Sequence, residues 1–372
     1  RTCGKICGDQ MKKTVFISLM AFLTITQAQF DNVATSAATF LKIGVGGRGV
    51  ALGGAHTASV NDASAMYWNP AGINGVNGQE LVFHQSSMYD GLGLQHSYLG
   101  AVVQVGSGNR IGLSINHLSY GDMTRTTEFS PEGEGQFTAS DIAIGLAFGT
   151  RVSDRFRIGI QTKLVRETIS FSSASALAID IGSQYTTAIN GLELGMAITN
   201  FGTKMRLFGT DQKLDVDPHE DLDGNPDVIA RLATEDWALP MSFQFGLSWL
   251  LMGENAPIKN PNISIMTNVE YTDPRDFNPV YHFGTEITVM KMVQFRAGLR
   301  NQFLRYPDDL DDASEKMIAD YEEGEYINRM SFGIGIPPMQ FPYTVYKFSV
   351  DYSFNDVGLL GDTQQLTITV GF

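Results

Sequence analysis

Three glycines near the N-terminus have the spacing of a dinucleotide-binding fingerprint. Gly44, Gly46 and Gly49 match the G-x-G-x-x-G pattern, in which the backbone closely approaches a pyrophosphate. That chemistry also needs a preceding strand, a following helix and an acidic residue about 20 positions further on. None of these accompanies the glycines, so we disfavour nucleotide binding. The remaining interpretation is that these glycines allow close packing against the wall of a β-barrel.

A second group of residues offers oxygen ligands around Gly224. Carboxylate and amide oxygens are the ligands that calcium prefers, but the spacing here is not that of an EF-hand loop. Two interpretations therefore stay open, a weak calcium site and a solvated acidic surface. No other cofactor is expected. The candidate ligands are Asp217, Asp221, Asp223, Asn225 and Asp227.

The spacing of the histidines does not indicate a metal site or a catalytic site. The six histidines form no H-E-x-x-H or similar metal-binding spacing. His117 and Ser119 are the nearest approach to a nucleophile and base on one strand face, as a membrane-embedded lipase would require. Two residues on one strand do not make a catalytic site, so we expect no enzymatic activity. The histidines are His56, His84, His96, His117, His219 and His282.

Charge and composition exclude several classes of protein. The chain has 26 Lys and Arg against 40 Asp and Glu, which gives a formal net charge of −14. Nucleic-acid binding needs concentrated basic side chains, so a nucleic-acid partner is not expected. Aromatic residues make up 10% of the chain, which argues against disorder. No apolar run beyond the N-terminus approaches the roughly 18 residues of a membrane-spanning helix.

The N-terminus has the features of a secretory signal. A short basic region begins at Met11, and an apolar stretch follows over residues 14–26. We therefore predict an upstream extension at residues 1–10, outside the mature protein, and a signal peptide at residues 11–28. Both cysteines lie in the extension, so neither a disulfide nor a thiolate site is expected in the mature chain.

Removal of residues 1–28 would make the chain more acidic. The remainder has 22 basic and 39 acidic side chains, a formal charge of −17. Nine of these acids lie in residues 201–237 and another nine in residues 305–325. Nearly half of the negative charge therefore belongs to two segments that we predict to be surface loops.

Apolar and polar side chains alternate along most of the chain, which indicates β-strands. In one segment Leu177 and Ile179 oppose Ala178 and Asp180. Most segments reach the roughly 9 to 11 residues that a tilted strand needs to cross a bilayer. About fourteen segments have this pattern: 80–89, 94–105, 109–120, 137–152, 155–168, 176–188, 190–200, 238–253, 260–273, 281–290, 293–304, 326–336, 343–354 and 364–372.

The connections between these segments point to a closed membrane barrel. Short connections at 106–108, 153–154, 189–190 and 291–292 alternate with long ones at 121–136, 201–237 and 305–325. The long ones all fall on the side opposite the chain ends, as in outer-membrane barrels. A soluble β-sandwich also alternates, but here aromatic residues crowd one strand face while the other is rich in small and polar residues. The sequence therefore predicts an all-β protein, a transmembrane antiparallel β-barrel of about 14 strands.

The C-terminal residues support the same architecture. Leu366, Ile368 and Val370 alternate with polar or small residues, and the chain ends on Phe372. A terminal aromatic residue after an alternating strand is typical of the signal for barrel assembly, so we expect the barrel-assembly machinery to be a partner. We place the barrel at residues 80–372.

The segment before the barrel has no strand period and is rich in small residues. Asp62 is positioned to cap a short helix over residues 63–68. Asn69 and Pro70 have the order of an N-cap and a first helical residue. We therefore predict that residues 29–79 form a compact helical hatch inside the barrel.

This segment resembles a known family. Residues 40–55, FLKIGVGGRGVALGGA, and residues 62–72, DASAMYWNPAG, look like the N-terminal signature of the PorV/PorQ outer-membrane proteins. That family is similar in fold to the FadL fatty-acid transporters, whose hatch shares the Asn-Pro-Ala element and plugs a fourteen-stranded barrel. The resemblance assigns the hatch motif to Asp62, Trp68, Asn69, Pro70, Ala71 and Gly72.

The resemblance implies a non-enzymatic role in type IX secretion at the outer membrane of a Gram-negative bacterium. Its partners would be membrane lipid, secreted cargo proteins and secretion-system subunits. The alternative is a FadL-like transporter of hydrophobic small molecules or fatty acids, with a lumenal pocket and a lateral opening. Transport needs an apolar pocket beside the hatch, and client binding needs large ordered loops. The strand faces that we predict to point into the lumen are polar, which favours the secretion role over the transport role.

The polar strand faces should line the lumen. Five basic and five acidic side chains there predict a neutral interior in which charges pair with one another, and the alternatives are a polar track or a latch for the hatch. The basic residues are Arg157, Lys163, Arg296, Arg300 and Lys347, and the acidic residues are Asp180, Glu193, Glu270, Glu286 and Asp351.

Overall fold

The computed structural model describes residues 35–89, 92–216, 228–302, 327–340, 344–358 and 361–372. The predicted extension and signal peptide lie outside the described residues, as do the first residues of the predicted hatch. The candidate calcium ligands Asp217, Asp221, Asp223, Asn225 and Asp227 also lie outside them.

Fourteen long antiparallel strands form the body of the molecule. They are β1 (Glu80–Met88), β2 (Leu94–Val105), β3 (Asn109–Thr124), β4 (Gln136–Ser153), β5 (Phe156–Ile169), β6 (Ser172–Thr186), β7 (Leu192–Gly202), β8 (Ser242–Gly253), β9 (Ile263–Pro274), β10 (Val280–Val289), β11 (Val293–Gln302), β12 (Ile327–Gln340), β13 (Lys347–Asp356) and β14 (Asp362–Gly371).

The sheet closes on itself. β1 pairs with β2 on one side and with β14 on the other, and β7 pairs with β8 across the longest connection. Beyond the last strand, the Gln79 and Phe372 backbones exchange hydrogen bonds of 2.8 and 2.9 Å, which fastens the two barrel ends together. Closure removes the unpaired edges that an open sheet would expose. The predicted fourteen-stranded barrel is confirmed. No helix in the described residues is long and apolar enough to cross a bilayer.

Each strand has one buried lumenal face and one exposed apolar face. On β6, Ala176 and Ala178 are buried, whereas Leu177 and Ile181 are 61% and 54% exposed. Successive side chains of a strand point to opposite sides, so the period of two in the sequence becomes an apolar outer surface. The assignment of polar faces to the lumen and apolar faces to lipid follows from this pattern.

Short elements complete the chain. The connection between β7 and β8 contains a two-residue strand, Phe208–Gly209, a helical turn, Thr210–Gln212, and a hairpin of Lys213–Val216 with Val228–Arg231. A further short strand, Ile258–Lys259, pairs with the end of β8.

Four short helical segments form the hatch: α1 (Thr39–Lys42), α2 (Gly47–Ala51), α3 (Ala65–Trp68) and α4 (Pro70–Gly75). The expected cap at Asp62 is wrong in detail, because α3 begins at Ala65 with Ser64 as its N-cap. The Asp62 carboxylate instead accepts hydrogen bonds from Ser64 and closes the turn before the helix. α4 begins as expected, with Asn69 as N-cap and Pro70 as the first helical residue.

Candidate functional site

Lumen-facing glycines allow the hatch to lie directly against the barrel wall. Gly149, Gly159 and Gly182 lie opposite one another on β4, β5 and β6. A Cβ atom at Gly159 would lie 2.3 Å from the Pro70 carbonyl, and one at Gly182 would lie 1.9 Å from the Asn69 side-chain oxygen. The backbone of the hatch therefore occupies the space in which side chains would otherwise stand. Similar contacts recur on other strands, at Gly195, Gly246, Gly284, Gly298 and Gly333.

Asn69 connects the hatch motif to the barrel. Its Nδ2 donates to the Thr57 carbonyl at 2.9 Å and to the Ser183 carbonyl of β6 at 3.0 Å. Its Oδ1 accepts from the Ala71 backbone N–H at 3.1 Å, which starts α4. One buried side chain thus caps a helix, ties two hatch segments together and fixes them to the wall.

The rest of the motif is packed inside the hatch. Trp68 donates its Nε1–H to the Val45 carbonyl at 2.8 Å, and its ring leaves no room for a Cβ at Gly49. Gly72 lies so close to the Val60 carbonyl that a Cβ would approach it to 2.6 Å. Gly49 therefore has a packing role, but its neighbour is Trp68 of the hatch and not the barrel wall that the sequence predicted.

An ionic network joins the hatch to the wall near α2. Arg48 donates to Glu286 at 2.9 and 3.2 Å and to the Asn61 side chain at 2.9 Å. Arg296 is almost fully buried and lies between Glu286, at 2.7 Å, and Asp351, at 2.6 Å. Burial by itself would lower the pKa of the Arg48 guanidinium, but the charge and hydrogen bonds of Glu286, with the charges of Asp62 and Asp351, together raise this pKa. The network has the geometry of a latch.

Other predicted lumenal charges are distributed around the barrel. Arg157 pairs with Glu193 at 3.4 Å, and Lys163 pairs with Asp180 at 2.8 Å. Glu270 accepts two hydrogen bonds of 2.8 Å from the backbone and hydroxyl of Thr57, so it holds the hatch without a cationic partner.

Lys347 and Arg300 behave differently from these pairs. Lys347 lies at the start of β13, where it is exposed. Arg300 faces Arg329 directly across β11 and β12 and is also exposed. Neither Lys347 nor Arg300 forms an ion pair with a described residue. Burial raises the pKa of the Tyr67 hydroxyl in α3, and the positive charge of Arg300 opposes that shift.

The barrel wall contains a β-bulge at Asn200, a residue that the sequence analysis did not single out. The pairing of β6 with β7 shifts between Ile179 and Ile181, and Asn200 adopts a left-handed backbone conformation with φ of 59°. Its backbone N–H donates to Asp180 at 2.7 Å, and its side-chain oxygen accepts from Lys163. The available signal was that asparagine adopts this conformation more readily than most residues.

His56 is a buried histidine of the hatch. Its Nδ1 lies 2.8 Å from the Ser59 hydroxyl, and its ring meets Trp68 edge-on at 5.9 Å between centroids. Burial lowers the pKa of His56 well below its usual value, and the nearby positive charge of Arg48 lowers it further. The imidazole is therefore neutral at pH 7 and acts as a packing and hydrogen-bonding group.

The extracellular half of the lumen contains an apolar wall that sequence reasoning also missed. Side chains from β1 and β3 to β6 face inward there, and two residues of the β7–β8 connection join them. In the sequence pattern the alanines of β6 belong to the small and polar strand face, and periodicity cannot place loop residues. The apolar wall comprises Met88, Leu118, Ala143, Val165, Ala174, Ala176, Ala178, Met205 and Leu239.

The chain's own N-terminal segment packs on the apolar wall. Phe40 and Leu41 of α1 are buried against it. Polar contacts also hold this segment. The Ser36 hydroxyl donates to the buried Asp276 carboxylate. The Ala37 backbone N–H donates to the Ala238 carbonyl at 2.9 Å, and that of Ala38 donates to Glu167 at 2.8 Å. Lys42 pairs with Asp276 but is itself 39% exposed. The segment thus covers part of the apolar wall.

The two residues considered for enzymatic chemistry lie on the outer face of the barrel. His117 and Ser119 lie on β3 with their side chains toward the outer face, and neither is buried. Within the described ranges no group of three or more His, Cys, Asp or Glu side chains is positioned to hold a metal ion.

Comparison with solved structures identifies the fold. The CymD monoaromatic hydrocarbon channel is similar over 88% of this chain and 98% of its own, at 12% identity and a TM-score of 0.53. A Pseudomonas aeruginosa FadL homologue matches over 89% and 98%, at 13% identity and a TM-score of 0.49. The P. putida toluene transporter TodX matches over 92% and 97%, at 11% identity and a TM-score of 0.48. The chain matches no protein-family model and no curated protein sequence.

At sequence identities this low, the similarities establish the fold alone. The chain is an outer-membrane-type β-barrel of the FadL-like architecture. The similar structures carry names of channels and transporters, and none of the three comparisons supports the expected membership of the PorV/PorQ family.

Proposed function

We propose that this protein is an outer-membrane channel of a Gram-negative bacterium that admits hydrophobic small molecules from outside. The observation that carries the proposal is the apolar wall of the upper lumen, with Phe40 and Leu41 packed on it. Transport through a polar barrel needs such a surface, because an apolar molecule entering the lumen must exchange water for apolar contacts. The names of the similar structures, a hydrocarbon channel and a toluene transporter, agree with this proposal.

A substrate would bind on the apolar wall by displacing α1. Burial of apolar surface stabilises α1 on the wall by about 25 cal/mol per Å². A hydrophobic ligand that takes its place is stabilised by the same effect. The exposed Arg300 and the half-buried Arg329 lie in the same lumen and would favour a substrate with an acidic end. Fatty acids are therefore candidate substrates in addition to neutral hydrocarbons.

The test is uptake by a Gram-negative host that lacks its own hydrophobic-molecule channels. We expect the wild-type protein to support uptake of radiolabelled palmitate or toluene. The change Ala176→Trp fills the apolar wall and should lower the initial uptake rate about tenfold. Ala101→Trp is the matched control, because Ala101 lies on the outward face of β2.

Assembly of each variant is checked first by the heat-dependent gel mobility of a folded barrel. With equal amounts of folded protein, uptake no greater than that of the empty host would overturn the proposal. Equal uptake by the wild type and by the Ala176→Trp variant would show that the apolar wall is not part of the transport pathway.

A second candidate function is the secretion role that the hatch resemblance implies. The observation that favours it is the hairpin of the β7–β8 connection, where Leu214, Val216, Val228 and Ile229 are exposed. Exposed apolar groups on an extracellular loop suit a protein client. Deletion of the gene separates the two functions: loss of surface-protein export with intact uptake supports secretion, and the reverse supports transport.

A further inference from the structure

Two buried histidines lie side by side in the lumen, next to the closure of the sheet. His84 is on β1 and His96 is on β2, and both side chains are fully buried. Their ring centroids are 5.6 Å apart, with 67° between the ring planes. The pairing of β1 with β2 brings the two rings together, so no short spacing in the sequence indicates the pair.

Each ring uses one nitrogen and leaves the other free. His84 Nδ1 lies 3.1 Å from the Thr367 hydroxyl of β14. His96 Nε2 lies 2.6 Å from the Asn116 side-chain oxygen of β3. The other nitrogens, His84 Nε2 and His96 Nδ1, have no hydrogen-bond partner among the described residues. The two nitrogens of an imidazole point in nearly opposite directions, and the occupied ones point to the strands on either side of β1 and β2. The free nitrogens therefore face the space between the two histidines.

Two neutral oxygens border the same space. Ser86, the next lumenal residue of β1 after His84, lies directly opposite His96 on one side and Gln365 of β14 on the other. Ser86 and Gln365 are only 1% and 4% exposed. Ser86 Oγ and Gln365 Oε1 also have no partner in the part of the chain that the structure describes. Buried polar atoms in proteins are nearly always paired, so four such atoms at adjacent lumenal positions point to a ligand outside the polypeptide.

We propose that the two histidines bind a divalent first-row transition-metal ion such as Cu²⁺ or Zn²⁺, with Ser86 and Gln365 as oxygen ligands. Imidazole nitrogens suit these ions. Metal–nitrogen bonds of about 2.0 to 2.1 Å, added to the radius of each ring, span ring centroids at the observed separation. Two nitrogens and two oxygens complete a four-coordinate site. The set differs from a site of three or more His, Cys, Asp or Glu, because half of its donors are neutral oxygens.

The occupied nitrogens fit this assignment. A metal-bound imidazole carries its proton on the other nitrogen and donates it to a nearby oxygen, which fixes the orientation of the ring. Thr367 and Asn116 supply those oxygens. Thr367 Oγ1 also accepts from the Gly47 backbone N–H of α2 at 2.8 Å, so the site is joined to the hatch. It borders the apolar wall at Leu118, which lies opposite His96, but the proposal does not depend on transport.

The experiment is electron paramagnetic resonance of the purified full chain, without an affinity tag and with Cys3 and Cys7 alkylated. Because both rings are buried, Cu²⁺ is present while the chain refolds into detergent micelles, and unbound ion is then removed by gel filtration. We expect one bound Cu²⁺ per chain, with a spectrum split by the nitrogens of two imidazoles. A folded barrel that retains no copper, or a spectrum without nitrogen splitting, would overturn the proposal.

Variants assign the signal to this site, with affinity measured by competition with a copper chelator. Asn116→Ala should lower the copper affinity about tenfold and keep the splitting by two imidazoles, as expected for loss of a partner behind a ligand. His96→Gln removes a ligand itself, so the affinity should fall by at least about a hundredfold and the two-imidazole spectrum should disappear.

His117→Gln is the matched control, because His117 lies on the outward face of β3 and should not affect the site. Heat-dependent gel mobility first shows that each variant folds. Wild-type copper binding by His96→Gln, or an equal loss of affinity in His117→Gln, would overturn the site. If His96→Gln does not fold, wild-type affinity in Asn116→Ala would overturn it.

Discussion

At the residue scale, the hatch is held by buried charges that satisfy one another. Glu286 accepts hydrogen bonds from both Arg48 of the hatch and Arg296 of the wall, and Arg296 also pairs with Asp351. Taking charges out of water costs several kcal/mol per ion unless partners compensate. The network therefore favours the one position of the hatch in which every member is paired.

Replacing Arg48 with glutamine should loosen the hatch and leave the barrel intact. Glu286 would keep Arg296 but lose a buried partner, so we expect the hatch's opening free energy to fall by about 3 kcal/mol. Amide hydrogen exchange over residues 44–76 measures this directly. Arg125→Gln is the control, because the Arg125–Glu134 pair is 3.8 Å apart and exposed, and its loss should cost less than about 1 kcal/mol. Unchanged exchange in the Arg48 variant would show that the network does not hold the hatch.

At the element scale, the hatch and the strands fit because backbone meets backbone. Gly159 and Gly182 are paired across β5 and β6, and α4 begins directly against them. A strand made of larger inward side chains would keep the hatch several ångströms from the wall. The glycines thus decide the position of α4.

The change Gly182→Ala should displace the start of α4. Its Cβ would lie 1.9 Å from the Asn69 side-chain oxygen, so Asn69 must move and lose its bond to Ser183. We expect at least tenfold faster amide exchange in α4, with unchanged heat-dependent mobility of the barrel. Gly108→Ala serves as control, because the nearest atom to its Cβ, the Arg151 carbonyl oxygen, would be 4.0 Å away. Equal exchange in the two variants would contradict the packing role of Gly182.

The elements themselves were largely predictable, and their lumenal partners were not. The fourteen strands and the start of α4 at Asn69 and Pro70 follow from local patterns. The start of α3 did not, because Asp62 has a nearer donor in Ser64. The bulge at Asn200 and the apolar wall also escaped prediction, since both depend on which strands and loops meet inside the closed barrel.

At the scale of the whole molecule, the alternation of connections fixes the orientation in the membrane. The β3–β4 connection around Glu132 lies on the side opposite the start of β1 and the end of β14, and the β2–β3 turn at Ser107 lies on the same side as those two strand ends. In barrels of this kind the short turns are periplasmic and the longer loops are extracellular. The apolar wall of the lumen then lies toward the outside.

Labelling with a membrane-impermeant maleimide should distinguish the two sides. A Glu132→Cys variant should react on intact cells, because Glu132 is exposed in an extracellular loop. A Ser107→Cys variant, exposed in a periplasmic turn, should react only after the outer membrane is permeabilised. The parent chain under both conditions reports any background from Cys3 and Cys7. The opposite pattern would invert the orientation and place the apolar wall toward the periplasm.

The sequence by itself determined the barrel, its lipid-facing surface and the existence of a packed N-terminal segment. These depend on a period of two and on runs of small residues, which are local properties of the chain. Only the tertiary structure decided which lumenal charges pair and where the apolar wall lies. Arg48 and Glu286 are 238 residues apart, and Phe40 meets side chains from β1 and β3 to β6. Contacts of that kind arise when the sheet closes around the hatch, so no local pattern in the sequence contains them.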